Sequence, residues 1–527
     1  MADRADKFRS LENEFDVLVV GGGATGLGIA VDASTRGFST VLVEAGDFAQ
    51  ATSSRATKLV HGGVRYLASG QMHLVYEALR ERKLMMRNAP HLVHPLAFVT
   101  PAYRWFDLPF YGSGLKIYDL LAGGSSIGRT RILNSEKTRR LVPGIQAKDL
   151  KGSIVYCDGQ FDDARMALAL ARTAEDHGAV VVNYARFLQP MKENESLAGG
   201  IVQDVETGEN HEIRAKTVIN ATGIFVDEVR ELDDPASPHL LRVSRGTHIV
   251  LPHEVLGEGS AIMVPKTRDG RLIFAIPWLG KVLIGTTDLP ATEPRVEPGF
   301  EESEIDYLIE TINPYLSRAI AKSDILSIFS GLRPLISEKA ATTAKISREH
   351  RIDVSRSGLI TVAGGKWTTY RRMAEDTLDL AIEKHLLPRA KCVTKELRLH
   401  GAPAEAVDGN EFSSYGTDAR RVRDLIAADG SLATKLDEDL PFVRAEVVYA
   451  VREEMARTVE DVLSRRTRAL LLNARASERA APVTAEMMAD ELGRDKAWAD
   501  EQVRTFCELA RSSYMLRSSA PVSVRSA

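Results

Sequence analysis

The chain has 527 residues, 44% hydrophobic and 27% charged, with a formal net charge of −4. That is enough chain for two or three globular domains, and the slightly acidic balance excludes a global nucleic-acid-binding surface. Its three cysteines, Cys157, Cys392 and Cys507, lie far apart and form no C-x-x-C, which excludes a zinc ribbon, a four-cysteine iron–sulfur cluster and a disulfide framework. No metal site is expected. The opening stretch MADRADKFRSLENEF is charged and has no apolar centre, so no secretory leader is expected. No run approaches the ~20 apolar residues that span a bilayer, so membrane association is expected to be peripheral.

The first element reads FDVLVVGGGATGLGIAVDASTRGFSTVLVEAGD, residues 15–47. Val17 to Val20 suit a buried parallel strand. Gly21, Gly23 and Gly26 then fall at G-x-G-x-x-G spacing, with Gly22, Ala24 and Thr25 between them. The first glycine permits a tight turn, the second lets backbone approach a pyrophosphate, and the third lets a helix pack on the strand. The helix, Ala24 to Arg36, aims its N-terminal N–H groups at phosphates. A second strand, Val41 to Val43, ends on Glu44, whose carboxylate suits an unphosphorylated ribose and disfavours NADP. The motif binds the AMP half of a dinucleotide and does not choose between NAD and FAD.

The next stretch, ATSSRATKLVHGGVRYL (51–67), is rich in hydroxyl groups and carries a glycine pair. Hydroxyl and backbone N–H groups suit a pyrophosphate and ribityl chain. Its cofactor candidates are Thr52, Ser53, Ser54, Lys58, His61, Gly62 and Gly63. ALRERKLMMR (78–87) reads as a basic helix, with Arg80, Arg82, Lys83 and Arg87 available to anionic lipid. Residues 103–123 interleave Trp105, Phe106, Phe110, Tyr111 and Tyr118 with Arg104 and Lys116, a composition that suits a bilayer interface.

Strands are expected at 180–187, 216–223 and 359–367. Ala221, Thr222 and Gly223 close the second, and Gly364, Gly365, Lys366, Trp367 and Thr368 close the third ahead of a helix from Tyr370 to Lys384. That helix N-terminus would stabilise an anionic reduced flavin, which favours FAD. Between them, HIVLP (248–252), RLIFAIPW (271–278) and KVLIGTTD (281–288) read as a separate antiparallel sheet. The expected fold is α/β: a discontinuous Rossmann-like FAD domain (1–100, 151–235, 325–388), an inserted antiparallel substrate domain (101–150, 236–324) and a helical C-terminal domain (389–527).

These motifs, with FDDARMAL, GTHIVLP, SGLRPL, GGKWTTYRRMAE and VEDVLSRRTRALLL, run from residue 16 to about 471 in an order that resembles the FAD-dependent glycerol-3-phosphate dehydrogenases. The resemblance implies a D-amino-acid-oxidase-like fold, one non-covalent FAD, and oxidation of sn-glycerol 3-phosphate to dihydroxyacetone phosphate. It also implies electron delivery to a quinone by an enzyme held peripherally on the cytoplasmic side of the inner membrane. A homo-oligomer is left open. A dianionic phosphate is best met by bidentate Arg with Lys support. By resemblance Arg65 and Tyr66 of HGGVRY, Arg333 of SGLRP, Arg348 of SREH and Lys366 of GGKW converge on the substrate; Thr287 and Asp288 of GTTD are read either as orienting the substrate or an Arg or as a simple strand-end turn. Arg is a poor base, so the proton acceptor is sought among histidines. His248 is preferred over His61. The rival readings are a glycerol-3-phosphate oxidase using oxygen, a relative oxidising another hydroxy acid or amine, and a non-catalytic flavoprotein.

Overall fold

The computed structural model describes residues 4–64, 71–257, 259–265, 267, 270–337, 350–404 and 411–516. The strand Glu14–Val20 is buried along nearly its whole length, as a strand covered on both faces must be. It lies at the centre of a parallel run in the order Ile360–Gly364, Asn210–Asn220, Glu14–Val20, Thr40–Val43, Val180–Val182. His350–Val354 adds an antiparallel edge, and the antiparallel pair Ala185–Glu193 and Ser196–Asp204 extends the far end of Asn210–Asn220. The helices Ala24–Thr35, Asp163–Asp176 and Tyr370–Glu383 pack together over this sheet and share one apolar core with it. The carboxyl ends of the strands Glu14–Val20, Asn210–Asn220 and Ile360–Gly364 open at one edge, where open α/β sheets bind ligands.

The second sheet runs Leu289–Ala291, Leu241–Pro252, Lys281–Gly285, Ile273–Trp278, Ser260–Val264, Val93–Ala102, Gly152–Phe161, Leu59–Val60. Its pairs are antiparallel except Ser260–Val264 with Val93–Ala102, which is parallel. Ser327–Ile336 lies along Leu241–Pro252, in register from Leu241 opposite Ile336 to Val250 opposite Ser327. Four strands expected wholly or mostly in the FAD domain therefore lie elsewhere. Leu59–Val60 and most of Val93–Ala102, from 1–100, Gly152–Phe161, from 151–235, and Ser327–Ile336, from 325–388, belong to the second sheet. Chain order alone does not reveal this, because each of these strands pairs across a long loop.

From residue 413 onward the described chain is mainly helical, including Ala419–Ala428, Arg444–Glu454, Ala474–Leu492 and Lys496–Leu509. The last three of these helices, with the short helix Ala469–Leu472, share a core with the second sheet through Leu470, Leu471, Phe329 and Trp278. Buried ion pairs tie them to the parallel sheet as well: Arg465 and Arg466 both reach Asp47, and Arg468 reaches Asp163 at 2.9 Å. Among the described residues no helix is long and apolar enough to cross a membrane.

Candidate active site

At the open edge of the parallel sheet lies a cavity of about 340 Å³. Its wall carries Gly21, Gly23, Ala24, Thr25 and Glu44 from the first βαβ unit, and Thr52, Ser53 and His61 from the hydroxyl loop. Ala221, Thr222 and Gly223 come from the second strand end, and Gly364, Gly365, Lys366, Trp367 and Thr368 from the third. Three chain segments thus converge that are separated by more than a hundred residues.

Local chemistry explains their placement. Glu44 accepts hydrogen bonds from Gly22 N–H at 2.6 Å and Gly46 N–H at 2.9 Å, and burial raises its pKa. Two lone-pair positions remain for a ribose. A Cβ on Gly26 would stand 1.9 Å from Gly21 O, so only glycine lets the helix sit this close to the strand. Ser53 Oγ accepts from Ala24 N–H at 3.0 Å, Trp367 Nε1–H donates to Ser53 O at 2.8 Å, and His61 N–H donates to Thr368 Oγ1 at 3.3 Å. The hydroxyl loop is thereby stitched to both glycine turns. Gly365 has φ +78°, and a Cβ there would meet Met373 Sδ at 2.4 Å. The long, polar cradle of glycines, hydroxyls and a helix N-terminus fits a flavin dinucleotide.

Several cofactor candidates lie off this wall. Gly22 and Gly26 shape the turn and do not border the cavity. Ser54 is buried, and its carbonyl accepts from Lys58 and Arg468. The Lys58 ammonium is enclosed and bonded to Asp163 at 2.7 Å; burial, and after it Arg468, pulls its pKa down to about 7. Lys58 is therefore a core ion-pair residue and not a cofactor ligand. The Gly62 N–H donates to Tyr118 Oη at 2.8 Å, so it faces the protein and not the cofactor. Gly63 borders a second cavity instead.

That second cavity, about 230 Å³, adjoins the first. Arg333, Lys366, His61, Leu59 and Thr57 border both. Arg333 donates from Nη2 to Thr286 Oγ1 and to Thr287 O, both at 3.0 Å, and its Nη1 stands 3.5 Å from Asp288 Oδ1. Thr287 borders the second cavity and holds Arg333 through its carbonyl, while its side chain points elsewhere. Its hydroxyl donates to Glu304 Oε1 at 2.6 Å and accepts from Thr247 N–H at 2.8 Å, so it braces the wall, while Thr286 is the hydroxyl on Arg333. Arg65, Tyr66 and Arg348 lie outside the described residues.

His248 is 2% exposed and borders the first cavity. Burial, and then the charges of Arg333 and Lys58, hold its pKa well below the usual imidazole value, so the ring is neutral at physiological pH. Sequence reasoning missed Thr57, Thr286, Arg271 and Asp158, all on the second cavity. Thr57 lies within the hydroxyl loop, but nothing in that run distinguishes it from its neighbours.

Residues 16–371 match the family described as FAD dependent oxidoreductase, and residues 360–499 match the C-terminal domain of alpha-glycerophosphate oxidase. The mitochondrial glycerol-3-phosphate dehydrogenase of Bos taurus is 41% identical over 529 residues, covering 94% of this chain and 72% of that protein. The mitochondrial enzyme of Arabidopsis thaliana is 38% identical over 546 residues, covering 94% and 86%. The crystal structure of the glycerol-3-phosphate dehydrogenase from Bacillus halodurans, complexed with FAD, superposes with a TM-score of 0.79 at 30% identity and covers 97% of each chain. The fold extends to the L-alpha-glycerophosphate oxidase of Mycoplasma pneumoniae, TM-score 0.56 at 18% identity. With its fold, its flavin cradle and these relatives in agreement, the chain belongs to the FAD-dependent glycerol-3-phosphate dehydrogenase family.

Proposed function

We infer that the protein oxidises sn-glycerol 3-phosphate to dihydroxyacetone phosphate and passes the electrons to a membrane quinone. The observation that carries this reading is the position of Arg333 and Lys366 on both cavities. A dianionic phosphate bound by these cations keeps a three-carbon polyol at the junction with the flavin cradle. Arg333 supplies a planar fork already held by Thr286 Oγ1 and Thr287 O, and Lys366 adds a point charge. Arg65, Tyr66 and Arg348 are proposed to complete the clamp. FAD held by the glycine turns and the hydroxyl loop would supply the hydride acceptor for the substrate's C2. His248, neutral and buried, is the proposed acceptor of the hydroxyl proton.

A membrane acceptor is supported by one outer face. The helix Asp107–Ala122 and the residues before it leave Trp105 71%, Phe106 72%, Phe110 59% and Leu120 79% exposed. Exposed apolar surface of this kind marks an interaction site. The adjacent helix Met72–Asn88 adds exposed Arg80, Lys83 and Arg87. Tyr118 and Arg82 depart from the expected surface: Tyr118 is buried, and Arg82 is paired with Asp158 at 2.7 Å. We place this face against the cytoplasmic leaflet of the inner membrane. Anionic liposomes carrying a quinone analogue test the acceptor. The expected result is salt-sensitive binding, with quinone reduction far faster than peroxide formation. A protein that stays in the supernatant and reduces oxygen as fast would be an oxidase.

A further inference from the structure

The His248 ring is held on several sides. Phe329 stacks on it at 4.7 Å between centroids and 14° between planes. Gly285 backs it so closely that a Cβ there would stand 2.1 Å from His248 Cδ2. Nε2 lies 3.0 Å from Thr57 Oγ1. Nδ1 is buried and has no hydrogen-bond partner among the described residues. His248 borders the flavin-side cavity, and Thr57 borders both cavities. The Nδ1–Cε1 edge is the part of the ring that neither Thr57 nor Gly285 meets.

A neutral imidazole carries one N–H and one lone pair. Were the proton on Nδ1, a buried N–H would have no acceptor, which folded proteins almost never tolerate. With the proton on Nε2, that N–H donates to Thr57 Oγ1 and a bare lone pair remains at Nδ1. A buried lone pair is the milder defect, and a substrate hydroxyl would supply its missing donor. The hydrogen bond at one ring nitrogen thus decides the chemistry of the other.

We propose that Thr57 is a positioning residue for the oxidation: its hydroxyl accepts the Nε2 proton of His248 and so fixes the tautomer in which Nδ1 takes the proton from the substrate's hydroxyl. This rests on the reading of His248 as the base. The substrate O–H bond breaks and an Nδ1–H bond forms. The O–H electrons close the carbonyl, while the C2–H electron pair leaves as hydride to bound FAD. The resulting imidazolium keeps its bond to Thr57, so the ring need not turn during the reaction.

The test combines kinetics with a readout of the ring itself. In wild-type protein carrying ¹⁵N-labelled histidine, the His248 signals should show Nε2 protonated and Nδ1 bare at neutral pH. Thr57→Val, nearly the same shape without the hydroxyl, should lose this single tautomer and lower kcat roughly 10- to 100-fold. KM for glycerol 3-phosphate and FAD content should change little. Thr57→Ser should recover both the tautomer and the turnover. A wild-type ring protonated at Nδ1 overturns the proposal, and so does a Thr57→Val enzyme with normal kcat while His248→Asn is inactive. Full turnover in His248→Asn would strike instead at the base assignment on which the proposal rests.

Discussion

Arg333 shows how much a single side chain is asked to do. Its fork is aligned by Thr286 Oγ1, Thr287 O and Asp288, so charge and direction are both set before a phosphate arrives. Lysine keeps the charge and loses the fork. Arg333→Lys should lower kcat/KM for glycerol 3-phosphate by roughly 10- to 100-fold, the worth of about 1.5–3 kcal/mol in charge-assisted hydrogen bonds. Flavin absorbance of the purified protein should be unchanged. Glu44 makes the complementary case at the cofactor end. Glu44→Ala removes the proposed ribose acceptor and also strips Gly22 and Gly46 of their partner, so FAD should be lost on dialysis while the fold persists. Retention of full FAD occupancy would contradict the role. The two residues also differ in how far they could be read in the sequence. Glu44 follows a glycine turn at fixed local spacing, so its role is legible from the pattern. Thr57 finds its partner, His248, 191 residues away, and no local pattern encodes that meeting.

At the scale of elements, local periodicity foretold several strands and helices, including Tyr370–Glu383 and the antiparallel set around Leu241–Pro252. It could not foretell sheet membership. Ser327–Ile336 is not expected as a strand, and its register against Leu241–Pro252 is set by tertiary packing. The aromatic segment shows the reverse: composition pointed outward, and five of its large apolar side chains are exposed while Tyr118 turns inward. Two stability predictions belong here. Asp47 follows the strand Thr40–Val43 and neutralises two buried guanidinium groups, Arg465 and Arg466, from the C-terminal helices. Asp47→Ala leaves both buried with less countercharge and should cost about 3–5 kcal/mol in denaturant unfolding. A loss below ~1 kcal/mol would mean that Asp461 and Glu460 suffice. His91, under the linker near Gly401, has its pKa lowered to about 3, first by burial and then by Arg165, His94 and His400, with Asp418 opposing. The folded state keeps it neutral while the unfolded chain binds a proton below pH ~6.5, so its share of stability falls as pH drops from about 6.5 towards 3. Moving from pH 7 to 5 should therefore penalise wild type more than His91→Asn, by about 2 kcal/mol. Equal penalties in urea unfolding would refute it.

On the scale of the whole molecule, two sheets, a helical C-terminal unit and one apolar outer face are arranged around two adjoining cavities. The outer face is chemically separate from the cation-lined cavity, so binding to lipid and reduction by substrate should be separable. The double variant Phe106→Ser, Phe110→Ser should weaken sedimentation with anionic liposomes several-fold and leave reduction of the flavin by substrate intact. Loss of both together would place the aromatic residues in the active-site architecture. The central claim is that the flavin cradle and the Arg333–Lys366 cavity form one site for one phosphorylated polyol. Anaerobic stopped-flow mixing of the FAD-loaded protein with sn-glycerol 3-phosphate tests it directly. The expected result is complete bleaching of the oxidised flavin band by one equivalent of substrate per site, with glycerol giving almost none. A flavin that stays oxidised with glycerol 3-phosphate, or that bleaches equally well with glycerol, would contradict it.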